Sequence, residues 1–409
     1  MKVNKYFPFA FLYFFINAVA LPFGLTYTAL LAPVFYVWVV VRRKKEILLP
    51  FITVLAPFIL VQILYVGVVR KVYFYSLINL VLVYIFCQAV YTFLTRCTNV
   101  EKIFRWLLIV NFMFCVVAIV LYFTPYYQIM WIEQNLTEGI KEFRRMKLFT
   151  YEASHYATLM VPLFCFYLLQ YLFKQNVIKG WLLIPMIFLP FVLSMSFGVI
   201  ACLVASGMIT YFLYFSRLTR LRRVFNAVLF SSAVVLVGAS MIYLFFSGSF
   251  FALRLANVLN GQDSSGKGRA YDAYILAQQL VQMKNPYWGV GLGQIKIIGA
   301  DLIGSYYLYN QDFVATIPNA VAETFAVLGW VGLALRFFLQ FFFFFQAKVW
   351  TNYYRLWLFL FIFLFQFIGS FITNIAEYVI WILAFTEVFK QFAVSGSSSR
   401  RTWLMRYQV

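Results

Sequence analysis

Two polar stretches of this chain hold residues whose types and spacing suit the handling of a charged substrate. The first carries Arg144, Arg145 and Lys147, then Glu152 and His155 three residues apart. The second opens on Gly268-Arg269 with Asp272 close behind, runs through Asn285-Pro286-Tyr287-Trp288-Gly289-Val290-Gly291-Leu292-Gly293, and closes with Asn319 and Glu323. A guanidinium offers a fork of donors to phosphate oxygens and keeps its charge in a partly apolar site. Arg145 and Arg269, with Arg144 and Lys147 beside them, are therefore candidates for a phosphate clamp. Basic residues just outside a membrane also bind anionic headgroups, and residue type alone leaves both readings open. Glu152 could cap a helix, hold an arginine or accept a proton. His155, which shares its face, and Asp272 and Glu323 are the other candidate proton acceptors.

The elements that must position these residues are apolar. With 64% hydrophobic and 11% charged residues, the chain is outside the range of soluble domains and has the composition of a polytopic membrane protein. Apolar runs of spanning length lie at about 6–22, 25–41, 47–69, 72–94, 104–124, 155–173, 181–195, 197–216, 224–247, 322–346, 356–374 and 377–394. The expected fold is an all-α transmembrane bundle of about twelve spans over residues 1–394, with a polar, basic cytoplasmic tail at 395–409. A second span follows the first at once, and Leu21-Pro22-Phe23 is a poor cleavage site, so no cleaved signal peptide is expected.

The net charge of +20 is placed for a membrane and not for nucleic acid. Lys and Arg collect in alternate connections, as at 42–45 and 217–223, which puts both termini inside. The same topology places residues 125–154 and 248–321 outside, the longer segment lying between spans nine and ten. From Arg269 to Met283 the residues Tyr271, Ile275, Leu276, Leu280 and Met283 recur near helical spacing, as in an amphipathic helix lying on the membrane surface. A cation in the first turn opposes the helix dipole, so Arg269 should have a partner, either Asp272 or a bound anion. Gly289, Gly291 and Gly293 follow no strand and read as a tight turn. Arg336 and Glu377 fall within or beside spans, where a charge has either a function or an ionic partner.

Cys87, Cys97, Cys115, Cys165 and Cys202 lie in or at the ends of spans without metal spacing, and read as packing residues. His155 is the sole histidine, which excludes a multi-histidine metal site. No cofactor is expected.

Gly268-Arg269 at the start of an outer helix, Asn-Pro-x-x-Gly-x-Gly-x-Gly from Asn285 to Gly293, and Asn319 with nine residues between it and the Gly-x-x-Gly of Gly329 and Gly332 resemble the bacterial O-antigen polymerase and ligase superfamily of membrane glycosyltransferases. Arg144-Arg145 followed by Glu152-Ala153-Ser154-His155-Tyr156-Ala157 is similar to the Arg and Glu-Pro-Ser-x-x-Ala of its polymerases. The motifs are short; their order and the twelve-span layout carry the resemblance. It implies an enzyme of the bacterial inner membrane with its site on the periplasmic face. Such an enzyme moves a glycan from undecaprenyl pyrophosphate to a second lipid-linked repeat unit, needs no metal, and has membrane lipids and a chain-length regulator protein as partners. Arg145 and Arg269 would then neutralise pyrophosphate, Glu152 or His155 would take the proton, and Arg144, Lys147, Asp272, Asn319 and Glu323 would bind substrate. The ligase branch carries a histidine where this chain has Pro318, which favours polymerase over transfer to lipid A core. A flippase for the same lipid-linked oligosaccharide is the rival from another class; the lack of a repeat between halves speaks against it.

Overall fold

The computed structural model describes residues 4–17, 27–44, 46–134, 143–175, 178–218, 264–307 and 314–394. Helices make up most of it: α1 (Phe7–Ile16), α2 (Tyr27–Arg43), α3 (Leu48–Val61), α4 (Arg70–Arg96), α5 (Val100–Tyr122), α6 (Ala153–Leu172), α7 (Gly180–Ser194) and α8 (Phe197–Leu218). After the outer segment begins come α9 (Ser264–Lys267), α10 (Ala273–Met283) and α11 (Ile295–Tyr307), then α12 (Ala320–Gln346), α13 (Tyr353–Phe365) and α14 (Ile375–Phe385). Among the described residues, 6 helices are long and apolar enough to cross a membrane. Four more are apolar but shorter, namely α1, α7, α13 and α14. The expected span at 224–247, the start of the long outer segment and the tail at 395–409 lie outside the described residues.

Three details differ from the sequence reading. Residues 125–154 contain an antiparallel hairpin, β1 (Trp131–Gln134) and β2 (Phe143–Met146), with Glu133 opposite Arg144 and Ile132 opposite Arg145. The expected span 356–374 stops at Phe365, and residues 366–374 are not helical. The helix expected to lie on the membrane surface packs on protein: Ala273, Leu276, Ala277, Leu280 and Val281 form its buried stripe, and it lies against α12. Tyr271 and Met283, counted by periodicity on that stripe, are exposed.

α6 is the axis of the main core. It is buried along nearly its whole length against α5, α7, α13 and α14, with Tyr156, Leu159, Leu163 and Phe166 among its buried side chains. A helix apolar on every face belongs inside a bundle, so its N-terminal end opens within protein. That end carries Glu152 and His155.

Candidate functional site

The chain enters α6 through Tyr151 and Glu152. Glu152 occupies the N-cap position with extended backbone, yet its side chain makes no cap hydrogen bond. Its carboxylate instead receives Arg269 Nη2 at 2.9 Å, an ion pair with side chains 29% (Arg269) and 19% (Glu152) exposed. Burial raises the Glu152 carboxyl's pKa, but Arg269, the Ser154 hydroxyl and the nearby Arg145 charge outweigh it and hold the group below the usual carboxylate range. Of the three roles open to Glu152, holding an arginine is the one realised.

Arg269 stands on a wide π-turn, Gly268–Asp272, between α9 and α10. Asp272 is not its partner: the carboxylate is buried and accepts from Tyr306 Oη at 3.0 Å and Tyr307 Oη at 3.3 Å. This anchors the turn to α11. The Arg269 carbonyl accepts from Asn319 Nδ2 at 2.8 Å. Asn319, expected to bind substrate, is a structural hub. Its Oδ1 caps α12 through the amides of Val321 and Ala322, while Nδ2 also donates to the Phe367 carbonyl. Glu323, one turn on, accepts from the Ile372 amide at 2.7 Å. Asn319 and Glu323 together stitch residues 366–374 to the start of α12, helped by bonds from Ala320 N to the Gly369 carbonyl and from Val321 N to that of Gln366.

The first polar stretch divides by strand alternation. Arg145 turns inward from β2, is buried, and donates from Nε to the Ser194 carbonyl at 2.9 Å, where a cation meets the C-terminal end of α7. Arg144 turns outward, pairs with Glu133 at 3.0 Å and stacks 3.6 Å over the Tyr127 ring. Lys147 is half-buried, which lowers its ammonium's pKa. None of the three lines the pocket described next, so the expected cluster of four cations reduces to Arg269, with Arg145 acting at longer range.

A small, partly open pocket lies beside the ion pair. Tyr151, Glu152, Ser154, His155 and Thr158 line it from α6 and the residue pair before it; Arg269 and Pro318 add to the wall. Phe365, Ser370, Phe371 and Asn374 complete it from the break after α13. His155 is only 7% exposed, and neither ring nitrogen has a hydrogen-bond partner among the described residues. Its ring lies 5.0 Å from that of Tyr151. His155 thus lines the pocket with both ring nitrogens buried and without a hydrogen-bond partner, an arrangement that costs free energy. The starts of α6, α12 and α14 all reach this wall, through Glu152, Pro318 and Asn374. Three positive helix ends and a guanidinium make the pocket favourable to an anion.

The sequence reading missed Thr158, Ser370 and Asn374. Thr158 had no signal to separate it from packing. Asn374 had one, since Asn-x-x-Glu at Asn374 and Glu377 is the pattern of a helix start inside what was read as adjoining spans.

The glycine segment plays a different part. Gly289, Gly291 and Gly293 have φ of +71°, +100° and +73°, the turn conformations expected of them. Gly289 packs against the kink of α12 at Gly329, which has φ +67°. A methyl group on Gly289 would sit 2.4 Å from the Val327 carbonyl carbon, and one on Gly329 2.3 Å from that of Tyr287. Val290 and Gly291 donate their amides to the carbonyls of Ala326 and Val327, and Gln62 Nε2 bridges the carbonyls of Trp288 and Val327. The segment fastens the outer helices to α12.

These features describe a helical membrane protein with a polar pocket, lined by Arg269 and Glu152, at the N-terminal end of its central helix. Neither a protein-family model nor a curated protein matches the chain.

Proposed function

We propose that the protein is a glycosyltransferase of the bacterial inner membrane, with twelve spans and both termini cytoplasmic, that lengthens a glycan carried on undecaprenyl pyrophosphate at its periplasmic face. The observation that carries this reading is the Arg269–Glu152 pair beside an unpartnered His155, in a pocket where three helix starts converge. Arg269 is held ready by one carboxylate, and a pyrophosphate oxygen can take that carboxylate's place. As the bond from the anomeric carbon to the pyrophosphate breaks, the negative charge that builds up meets Arg269 and the helix ends. A sugar hydroxyl of the second repeat unit forms the new bond to that carbon, its proton passes to His155, and the lipid pyrophosphate leaves. His155 is assigned the proton in preference to Glu152 because the Glu152 carboxylate is committed to Arg269, whereas the imidazole has no hydrogen-bond partner among the described residues.

A second reading, transfer to a lipid A core, is favoured by one observation: His155 and Pro318 line the same pocket, so the imidazole absent beside Asn319 is supplied from α6. The test offers purified protein a labelled lipid-linked donor with either a second repeat unit or core lipid, in the presence of chelator. A ladder of longer glycans is expected. Transfer only to core lipid selects the second reading, movement of donor across a bilayer without transfer selects a flippase, and loss of the ladder in chelator removes the metal-free mechanism. His155→Gln should lower turnover by about a hundredfold or more; unchanged turnover would exclude the imidazole as base.

A further inference from the structure

The break between α13 and α14 is built with more care than a connection needs. Residues 366–374 run Gln-Phe-Ile-Gly-Ser-Phe-Ile-Thr-Asn, apolar enough to continue a helix, yet α13 ends at Phe365. Bonds to Asn319, Ala320, Val321 and Glu323, and from Tyr378 Oη to the Ile372 carbonyl, hold the segment open. Within it Ser370 has φ +73°, a left-handed conformation that a residue with a side chain adopts only when its surroundings impose it. Of the non-glycine residues with positive φ among those described, Ser370 is the one on the pocket wall.

That conformation sets a hydroxyl and an amide against the pocket. Asn374 Nδ2 donates to Ser370 Oγ at 3.0 Å, so the Ser370 hydroxyl keeps its own proton to give. Asn374 Oδ1 is occupied in capping α14 at the Ala376 amide, which leaves one amide proton of Nδ2 available. Phe365 and Phe371 supply apolar surface beside them. Hydroxyl and amide groups set beside aromatic faces recognise a sugar, whose ring edges hydrogen-bond and whose faces are apolar. His155, whose buried ring nitrogens have no partner among the described residues, lines the same pocket.

We infer, on the transferase reading above, that residues 366–374 form the acceptor wall: Ser370 and Asn374 hydrogen-bond the incoming acceptor sugar and present its hydroxyl to His155, while Arg269 serves the pyrophosphate of the donor. The site is thereby divided between a neutral, hydroxyl-reading wall and a charged one.

The test uses the full-length protein in detergent. The probe for the neutral wall is the repeat-unit oligosaccharide released by mild acid from the producing cell's own lipid-linked pool; the probe for the charged wall is undecaprenyl pyrophosphate without sugar. Ser370→Gly removes the hydroxyl and suits the backbone. Asn374→Ser removes the amide and keeps a helix cap. Each variant should bind the oligosaccharide about tenfold more weakly, the loss of one hydrogen bond, and bind the lipid pyrophosphate as the parent does, which also certifies its fold. Oligosaccharide binding equal to the parent's, no binding by the parent, or a parallel loss of lipid pyrophosphate overturns the acceptor wall. A missing polymer ladder with variant-sensitive oligosaccharide binding sinks the transferase reading and leaves the wall standing.

Discussion

Two Arg–Glu pairs of this protein use the same chemistry in opposite ways. Arg336 and Glu377 pair inside the helical bundle, with side chains 11% and 1% exposed. Arg336 also bonds Gln366 and Thr324, Gln366 exchanges bonds with Gln340, and Glu377 accepts from Trp381. Arg269 and Glu152 share a single hydrogen bond, with side chains 29% and 19% exposed. The first pair is enclosed by partners on α12 and α14 and by Gln366 at the start of the break, and fixes the helices that hold it; the second lines a pocket, where the proposed function has another anion take the carboxylate's place. The sequence reading gave Arg336 a functional or a structural role with equal weight, and its partners make it structural. What separates a brace from a binding group is the number of further partners, not the pair.

The contrast can be broken most severely at the brace. Arg336→Ala leaves a buried carboxylate uncompensated and should cost about 3–5 kcal/mol, measured as a large fall in Tm and protease resistance in detergent. A variant that melts like the parent would mean that the network carries little of the fold. Arg269→Ala should do the reverse, keeping Tm near the parent's while turnover drops about a hundredfold, the effect of one pre-organised contact on a developing charge. Arg269→Lys should recover little, since an ammonium lacks the planar fork.

Glu152→Gln sharpens the comparison further. The folded carboxyl titrates below its unfolded value of about 4.3, so the pair's stabilisation is complete above that pH and disappears as pH falls through the folded pKa. The Tm advantage of the parent over Glu152→Gln should therefore be flat from neutrality down to about pH 5 and vanish in acid, with a size near 1 kcal/mol because the pair is partly solvated. An advantage that grows on acidification would contradict an ionised Glu152. The smallest effect belongs to Arg144→Ala, which removes an exposed pair on the hairpin and should leave turnover within about twofold of the parent; strong loss would return Arg144 to the substrate.

Class was legible from composition, and ten of the expected spans coincide with apolar helices, because burial in lipid writes itself as long apolar runs. The neighbourhood of Glu152, His155 and Arg269 was also legible: polar residues in an apolar chain stand out whether or not their roles are known. Roles were not legible. Arg144 and Arg145 are adjacent and identical in type, and only the pleat of a short strand sends one to solvent and the other to Ser194. Asp272 and Asn319 had the chemistry of a site, but two tyrosines on α11 claim the first and a helix start and two carbonyls claim the second. Such partnerships join residues far apart in the chain, and local spacing carries no trace of them.

The pocket wall is gathered from residues 151–158, Arg269, Pro318 and 365–374. A chain emerging from the ribosome inserts α6 with its histidine early and acquires the opposite wall only after α13 and α14 have followed. The pocket is thus complete only once these late helices have joined α6, so no partial chain carries both of its walls.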